Sequence, residues 1–133
     1  MKIQVAIVMG SQSDMELMKD AEKALTEKGV GCEIKVSSAH RNLDETIAYA
    51  RACKARGIRV IIAGAGLAAH LPGVVAAAVP EIPVIGVPIA SGPLQGQDAL
   101  LAIVQMPKGV PVACVAINGA YNAGLLAAKI LAC

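Results

Sequence analysis

The sequence predicts an α/β protein, a three-layer α/β/α sandwich on a five-stranded parallel sheet. Three observations carry this expectation. Short apolar, β-branched runs alternate with segments of helical spacing, Gly or Pro marks most of the junctions, and each intervening segment is long enough for a right-handed crossover. A chain of 133 residues, 56% hydrophobic and 17% charged, has the size of one domain with one core.

Ile3 to Met9 is the first strand-like run and stops at Gly10. Asp14 to Lys28 follows with Met15, Leu17, Met18, Ala21, Ala24 and Leu25 at helical spacing, and Gly29 stops it. Cys32 to Val36 reads as a second strand, after which "SSAHRN" opens a helix running to about Arg56 and closed by Gly57. Ile58 to Ala63 is β-branched enough to be a buried parallel strand. The turn "GAGLAAHLPG" leads into a short helix over Ala68 to Val79, although Pro72 and Gly73 sit near its start. Pro83 to Val87 is a fourth strand, "ASGPLQG" a loop and Gln97 to Gln105 a short helix. Val110 to Ile117 and Ala120 to Leu131 complete the series as strand and helix.

The composition narrows the function classes. A formal charge of +2, scattered Lys and Arg, no Trp, no Phe and two Tyr argue against a nucleic-acid partner. Apolar stretches are interrupted before they reach membrane-spanning length, and Met1 to Gln4 leads straight into a strand, so neither a membrane partner nor a signal peptide is expected. Cys32, Cys53, Cys114 and Cys133 have no zinc-like spacing and read as reduced structural thiols. The expected location is the cytoplasm.

In sheets of this kind ligands gather beyond the carboxyl ends of the strands, which turns separate loops into one candidate site. In "MGSQSD", Gly10 permits close backbone approach, and Ser11 and Ser13 offer hydroxyls beside helix N-terminal amides, a place for a phosphate. Asp14 either caps the helix or accepts hydrogen bonds from a ligand hydroxyl such as a ribose. In the next loop Ser37 or Ser38 can cap a helix beginning near Arg41 or Asn42. Arg41 in a first turn would oppose the helix dipole, a conflict that a bound anion removes. His40 beside it carries the side chain best suited to proton transfer near neutral pH, against the plainer reading of a surface histidine at a turn. In "GAGLAAHLPG", Gly64 and Gly66 let backbone line a pocket and Ala65, Ala68 and Ala69 leave room for a small apolar guest near His70; a tight packed turn is the alternative. Asp98 can stabilise the N-terminus of its helix, and "QMPKGVP" reads as packing or subunit contact.

Taken together, "GSQSD", "SAHR", "GAGLAAHLPG", "PVIGVP", "QGQDALLAIVQMPKGVPV" and "NAGLLAAKIL" resemble, in order and over nearly the whole chain, the N5-carboxyaminoimidazole ribonucleotide mutase family of purine biosynthesis. The resemblance implies a flavodoxin-like fold, a single ribonucleotide-binding catalytic domain over residues 1–133, and a homo-octamer with sites built partly from neighbouring subunits. It implies that Ser11, Ser13, Asp14 and Arg41 bind the ribonucleotide, with serine and arginine on the phosphate and the aspartate on the ribose. By the same resemblance Ser38 is a pocket residue, His40 the catalytic acid and base, and Gly66 and His70 part of the loop over the imidazole. Carbon dioxide is the implied trapped intermediate, and neither a metal nor an organic cofactor is expected. Two departures from the family stand out: Asn42-Leu43 replaces the usual Thr-Pro, and Leu67 stands where microbial mutases commonly carry glycine. The neighbouring alternatives are a carboxylase that fixes free carbon dioxide on aminoimidazole ribonucleotide, and a non-catalytic nucleotide- or flavin-binding module.

Overall fold

The computed structural model describes residues 1–133. Five strands, β1 (Ile3–Met9), β2 (Gly31–Val36), β3 (Val60–Gly66), β4 (Val84–Ile89) and β5 (Ala113–Cys114), alternate with α1 (Met15–Glu27), α2 (Leu43–Ala55), α3 (Leu71–Ala78), α4 (Gln97–Val104) and α5 (Ala120–Leu131). All neighbouring strands are parallel, in the order β2-β1-β3-β4-β5. This is the flavodoxin-like doubly wound order, whose switch point falls between β1 and β3.

The period-2 alternation of side chains assigns the two cores. Ala6 and Val8 of β1, with Ile61, Ala63 and Ala65 of β3, face one layer with Ala50, Val75 and Ile103 of α2, α3 and α4. Val5, Ile7 and Met9, with Val60 and Ile62, face the other with Met18, Ala21, Leu25 and Ala123 of α1 and α5. A strand buried on both faces must be apolar at every position, which is why β1 from Val5 onward, β3 and β4 read as continuous apolar runs.

On the edge strand β2, Glu33 receives a hydrogen bond from Tyr49 and a two-pronged ion pair from Arg56, tying α2 to the sheet. Arg56 holds the Glu33 carboxyl below its ordinary range, with Tyr49 assisting. Charged groups also protect this edge from pairing with another chain.

The strand boundaries shift in informative ways. β3 runs to Gly66 rather than ending at Ala63, because Ala65 and Gly66 stay in register with Pro88 and Ile89 of β4. The expected long strand Val110 to Ile117 is reduced to Ala113–Cys114. The carbonyls of Gly86 and Pro88 face β5, accepting from Val115 and Asn118. Pro88 has no N–H to offer on that side, so the ladder ends. The expected helix over Ala68 to Val79 begins only at Leu71, because Leu67 (φ 55) and Ala69 (φ 44) are left-handed.

Small residues bring α1 and α5 together. A Cβ on Gly124 would lie 2.6 Å from the Ala21 carbonyl oxygen and 2.8 Å from the Ala24 Cβ. The obstacle is backbone, so the gain in helix propensity from alanine is outweighed by overpacking. Gly124→Ala is expected to cost about 1–3 kcal/mol, read as a lower midpoint in urea unfolding with an unchanged slope.

Candidate active site

Each functional side chain lies where a strand hands over to the next segment. After β1, Ser11 is extended (φ −147, ψ 145), and a 3-10 turn Gln12–Asp14 precedes α1. The Ser11 Oγ accepts the Ser13 N–H at 3.2 Å and lies 2.9 Å from the Ser13 hydroxyl. The two hydroxyls are therefore paired and exposed together. Asp14 occupies the N-cap position of α1 but makes no side-chain cap bond. Its carboxylate is not spent on the helix, and burial pushes its pKa above the ordinary value.

After β2 the chain turns before it becomes helical. The buried Ser37 hydroxyl lies 2.6 Å from that of Thr46, while the Ser38 Oγ accepts the Arg41 N–H at 3.2 Å. The Ser38 carbonyl accepts the Asn42 N–H at 2.9 Å. Neither serine caps α2, as the sequence had pointed to; Asn42 holds the N-cap position without a side-chain bond. Arg41 consequently precedes the cap instead of lying in the first turn, and Asp44 and Glu45 there already complement the dipole. The helix-dipole reason for an anion at Arg41 falls away. A different reason takes its place: the exposed Arg41 has no ion-pair partner in the protein and borders the same pocket as the two paired serines.

After β3 the left-handed pair Leu67 and Ala69, with the Ala69 N–H donated to the Gly66 carbonyl at 3.0 Å, carries His70 to the N-cap position of α3. His70 then meets His40. Their Nδ1 and Nε2 atoms lie 2.5 Å apart, with the rings edge to face at 87° and centroids 4.7 Å apart. Such a contact holds one proton between two nitrogens: one imidazole donates and the other accepts. The sequence singled out both histidines without joining them.

Ser11, Ser13, Asp14, Ser38, His40, Arg41, Gly66 and His70 all line one pocket of about 300 Å³ at the β1/β3 switch point. Ala39, Ala65, Leu67, Ala69 and Leu71 form its apolar wall. Ala68, expected in that wall, is exposed and is not part of it. Ser91 was missed; it borders this pocket and an adjoining groove of about 540 Å³ that shares Ser13 and Asp14. Asn118 was missed as well. Left-handed at φ 62, it accepts the Ala90 N–H on its Oδ1 at 2.9 Å and fixes the exit of β4. The Asn-Gly dipeptide was the available signal for that turn.

Residues 4–133 match the AIR carboxylase family. The chain is 58% identical over 127 residues to an N5-carboxyaminoimidazole ribonucleotide mutase of Mycobacterium tuberculosis, covering 96% of this chain and 72% of the relative. It is 59% identical over 128 residues to a phosphoribosylaminoimidazole carboxylase of Schizosaccharomyces pombe, covering 96% of this chain but only 23% of that longer protein. Among solved structures, Treponema denticola PurE2-S38D superposes with a TM-score of 0.88 at 29% identity, over 99% of this chain and 81% of that one.

Proposed function

The chain belongs to the AIR carboxylase family, and from that premise we propose that it is an isomerase converting N5-carboxyaminoimidazole ribonucleotide to 4-carboxyaminoimidazole ribonucleotide. The observation that carries this reading is the convergence of a paired imidazole, an unpaired guanidinium, two exposed hydroxyls and a free carboxylate on one pocket with an apolar wall. Residues 1–133 act as one ribonucleotide-binding catalytic domain.

Arg41, Ser11 and Ser13 take the phosphate, the guanidinium as a planar fork and the hydroxyls as donors. Asp14 accepts the ribose hydroxyls, a role supported by the absence of any cap bond on its carboxylate. Ser38 holds the turn that presents His40 and Arg41, and Gly66 lets the end of β3 pack closely against the Ser91 segment that borders the pocket: a Cβ there would lie 2.8 Å from the Ser91 Cβ.

The substrate's carbamate N–C bond breaks, its electron pair returns to the exocyclic nitrogen, and that nitrogen gains a proton. The carbon dioxide so released is attacked by ring C4, which is nucleophilic like an enamine carbon. The new C–C bond forms and the C4 proton leaves. One proton is taken up and one given back, so a single group can serve both steps. His40 is that group. His70, 2.5 Å away, holds the ring in place and supplies the second nitrogen for the shared proton. Confinement beside Ala65, Ala69 and Leu71 keeps carbon dioxide near C4, where proximity replaces a bimolecular encounter.

The same reading includes a cytoplasmic location, in keeping with four free cysteines, and a homo-octamer. Half-exposed Leu94, Leu101 and Val104, around the segment expected to make subunit contacts, support association.

The experiment compares initial rates on the carbamate ribonucleotide with rates on aminoimidazole ribonucleotide plus bicarbonate. Faster conversion of the carbamate is expected. Faster conversion of the second pair at physiological bicarbonate would reassign the chain to direct carboxylation.

A further inference from the structure

Ser37 and Thr46 are the two polar side chains that the fold buries, at 4% and 2% exposure, and neither lines the pocket. Burying a hydroxyl costs free energy unless its hydrogen bonds are made inside the protein. Here both hydroxyls are spent on one turn. The Thr46 Oγ1 donates to the Asn42 carbonyl at 3.0 Å and shares that proton with the Ser38 carbonyl at 3.3 Å. A hydroxyl has one proton, so the Ser37 hydroxyl, 2.6 Å away, is the donor to the Thr46 Oγ1. The Ser37 N–H in turn donates to the carbonyl of Met9, at the end of β1, at 2.8 Å. Ser38 and Asn42 are the two ends of the turn that presents Ala39, His40 and Arg41 to the pocket. One buried hydroxyl therefore grips both ends of the segment that carries His40, and a second ties it to the sheet. A bond from a helical threonine to the carbonyl four residues back is ordinary; the second carbonyl and the Ser37 donor are not. Other fastenings are missing: the chain has Asn42-Leu43 where the family usually has Thr-Pro, so the entry to α2 has neither the fixed φ of a proline nor a side-chain cap.

We propose that Thr46, with Ser37 as its donor, is a positioning residue for the reaction: it holds the turn from Ser38 to Asn42 so that the His40 ring stays on His70 and faces the substrate. This rests on the mutase reading, in which His40 moves the proton. Thr46 touches neither the substrate nor the reacting atoms. Arg41 sits on the same turn, but its long, exposed side chain can follow a phosphate when the backbone shifts. An imidazole on a short stem cannot follow a proton on a ring carbon in that way. Loss of the clasp therefore falls on kcat more than on KM.

The test measures steady-state rates on the carbamate ribonucleotide together with melting temperatures. Thr46→Val keeps the shape of the side chain and removes the hydroxyl. Its kcat is expected to fall about tenfold with KM within about twofold of the parent's. Its melting temperature is expected to fall as well, because the Ser37 hydroxyl is left buried without its acceptor. Thr46→Ser keeps the hydroxyl and is expected to keep the parent's kcat. In Ser37→Ala/Thr46→Val both hydroxyls are gone, so the melting temperature is expected to recover towards the parent's while kcat stays low. The double variant also carries the test should Thr46→Val fold poorly. A kcat equal to the parent's in folded Thr46→Val, or one that recovers with the melting temperature in the double variant, would overturn the proposal, make the pair a matter of stability alone, and leave the mutase reading standing. A parent chain that does not convert the carbamate would instead remove that reading, and the proposal with it.

Discussion

Replacing His40 with Asn lowers kcat by about two to four orders of magnitude, the range that a positioned general acid and base contributes, while ribonucleotide affinity changes little. Asparagine keeps a polar group near His70 but cannot give up and recover a proton near neutral pH. The contact between His40 Nε2 and His70 Nδ1, 2.5 Å apart, is lost, and the imidazole that remains, His70, lies one ring further from the position assigned to C4. Steady-state rates paired with calorimetric binding of the product separate the two effects. Unchanged turnover would take His40 out of the mechanism; a parallel collapse of binding would make it a binding residue.

Arg41→Ala weakens binding of the phosphorylated substrate by about 10- to 100-fold, as expected for loss of a charge-assisted hydrogen bond worth about 1.5–3 kcal/mol. The guanidinium has no ion pair within the protein, so its removal leaves no buried carboxylate stranded and should cost little stability. The dephosphorylated ligand should lose far less affinity on the same change. Equal losses for both ligands would show that Arg41 shapes the turn closed by Ser38 and not the phosphate site.

The residues that could be read from sequence and those that could not differ for a physical reason. Local chemistry announced the strands β1, β3 and β4 through their β-branched runs, and the glycines Gly29 and Gly57 through the left-handed stops they provide. Strand ends were decided across the sheet. Gly64 to Gly66 look like a turn by composition, yet pairing with β4 keeps them extended, whereas Val115 to Ile117 look extended and lose their ladder to a proline on another strand. At the site, residue types at strand ends pointed to Ser11, Ser13, Asp14, His40, Arg41, Gly66 and the surroundings of His70, while Ser38 came only with the family resemblance; the fold brings all eight to one pocket. The His40–His70 contact was out of reach because it joins positions 30 residues apart across the crossover through α2 and β3. Ser91 was overlooked because β4, expected to stop at Val87, continues to Ile89 and delivers it to the rim. Arg41 borders the pocket without any dipole conflict, since the Ser38 turn delays the helix past it.

The central claim is that one ribonucleotide lies across these loops with its ring against the histidine pair. A crystal structure with 4-carboxyaminoimidazole ribonucleotide bound tests it most directly. The phosphate is expected on Ser11, Ser13 and Arg41, the ribose on Asp14, and the imidazole C4 region within hydrogen-bonding reach of His40. A nucleotide bound elsewhere, such as the groove between Lys28 and Lys129, or bound in the pocket with its ring turned away from His40, would contradict it.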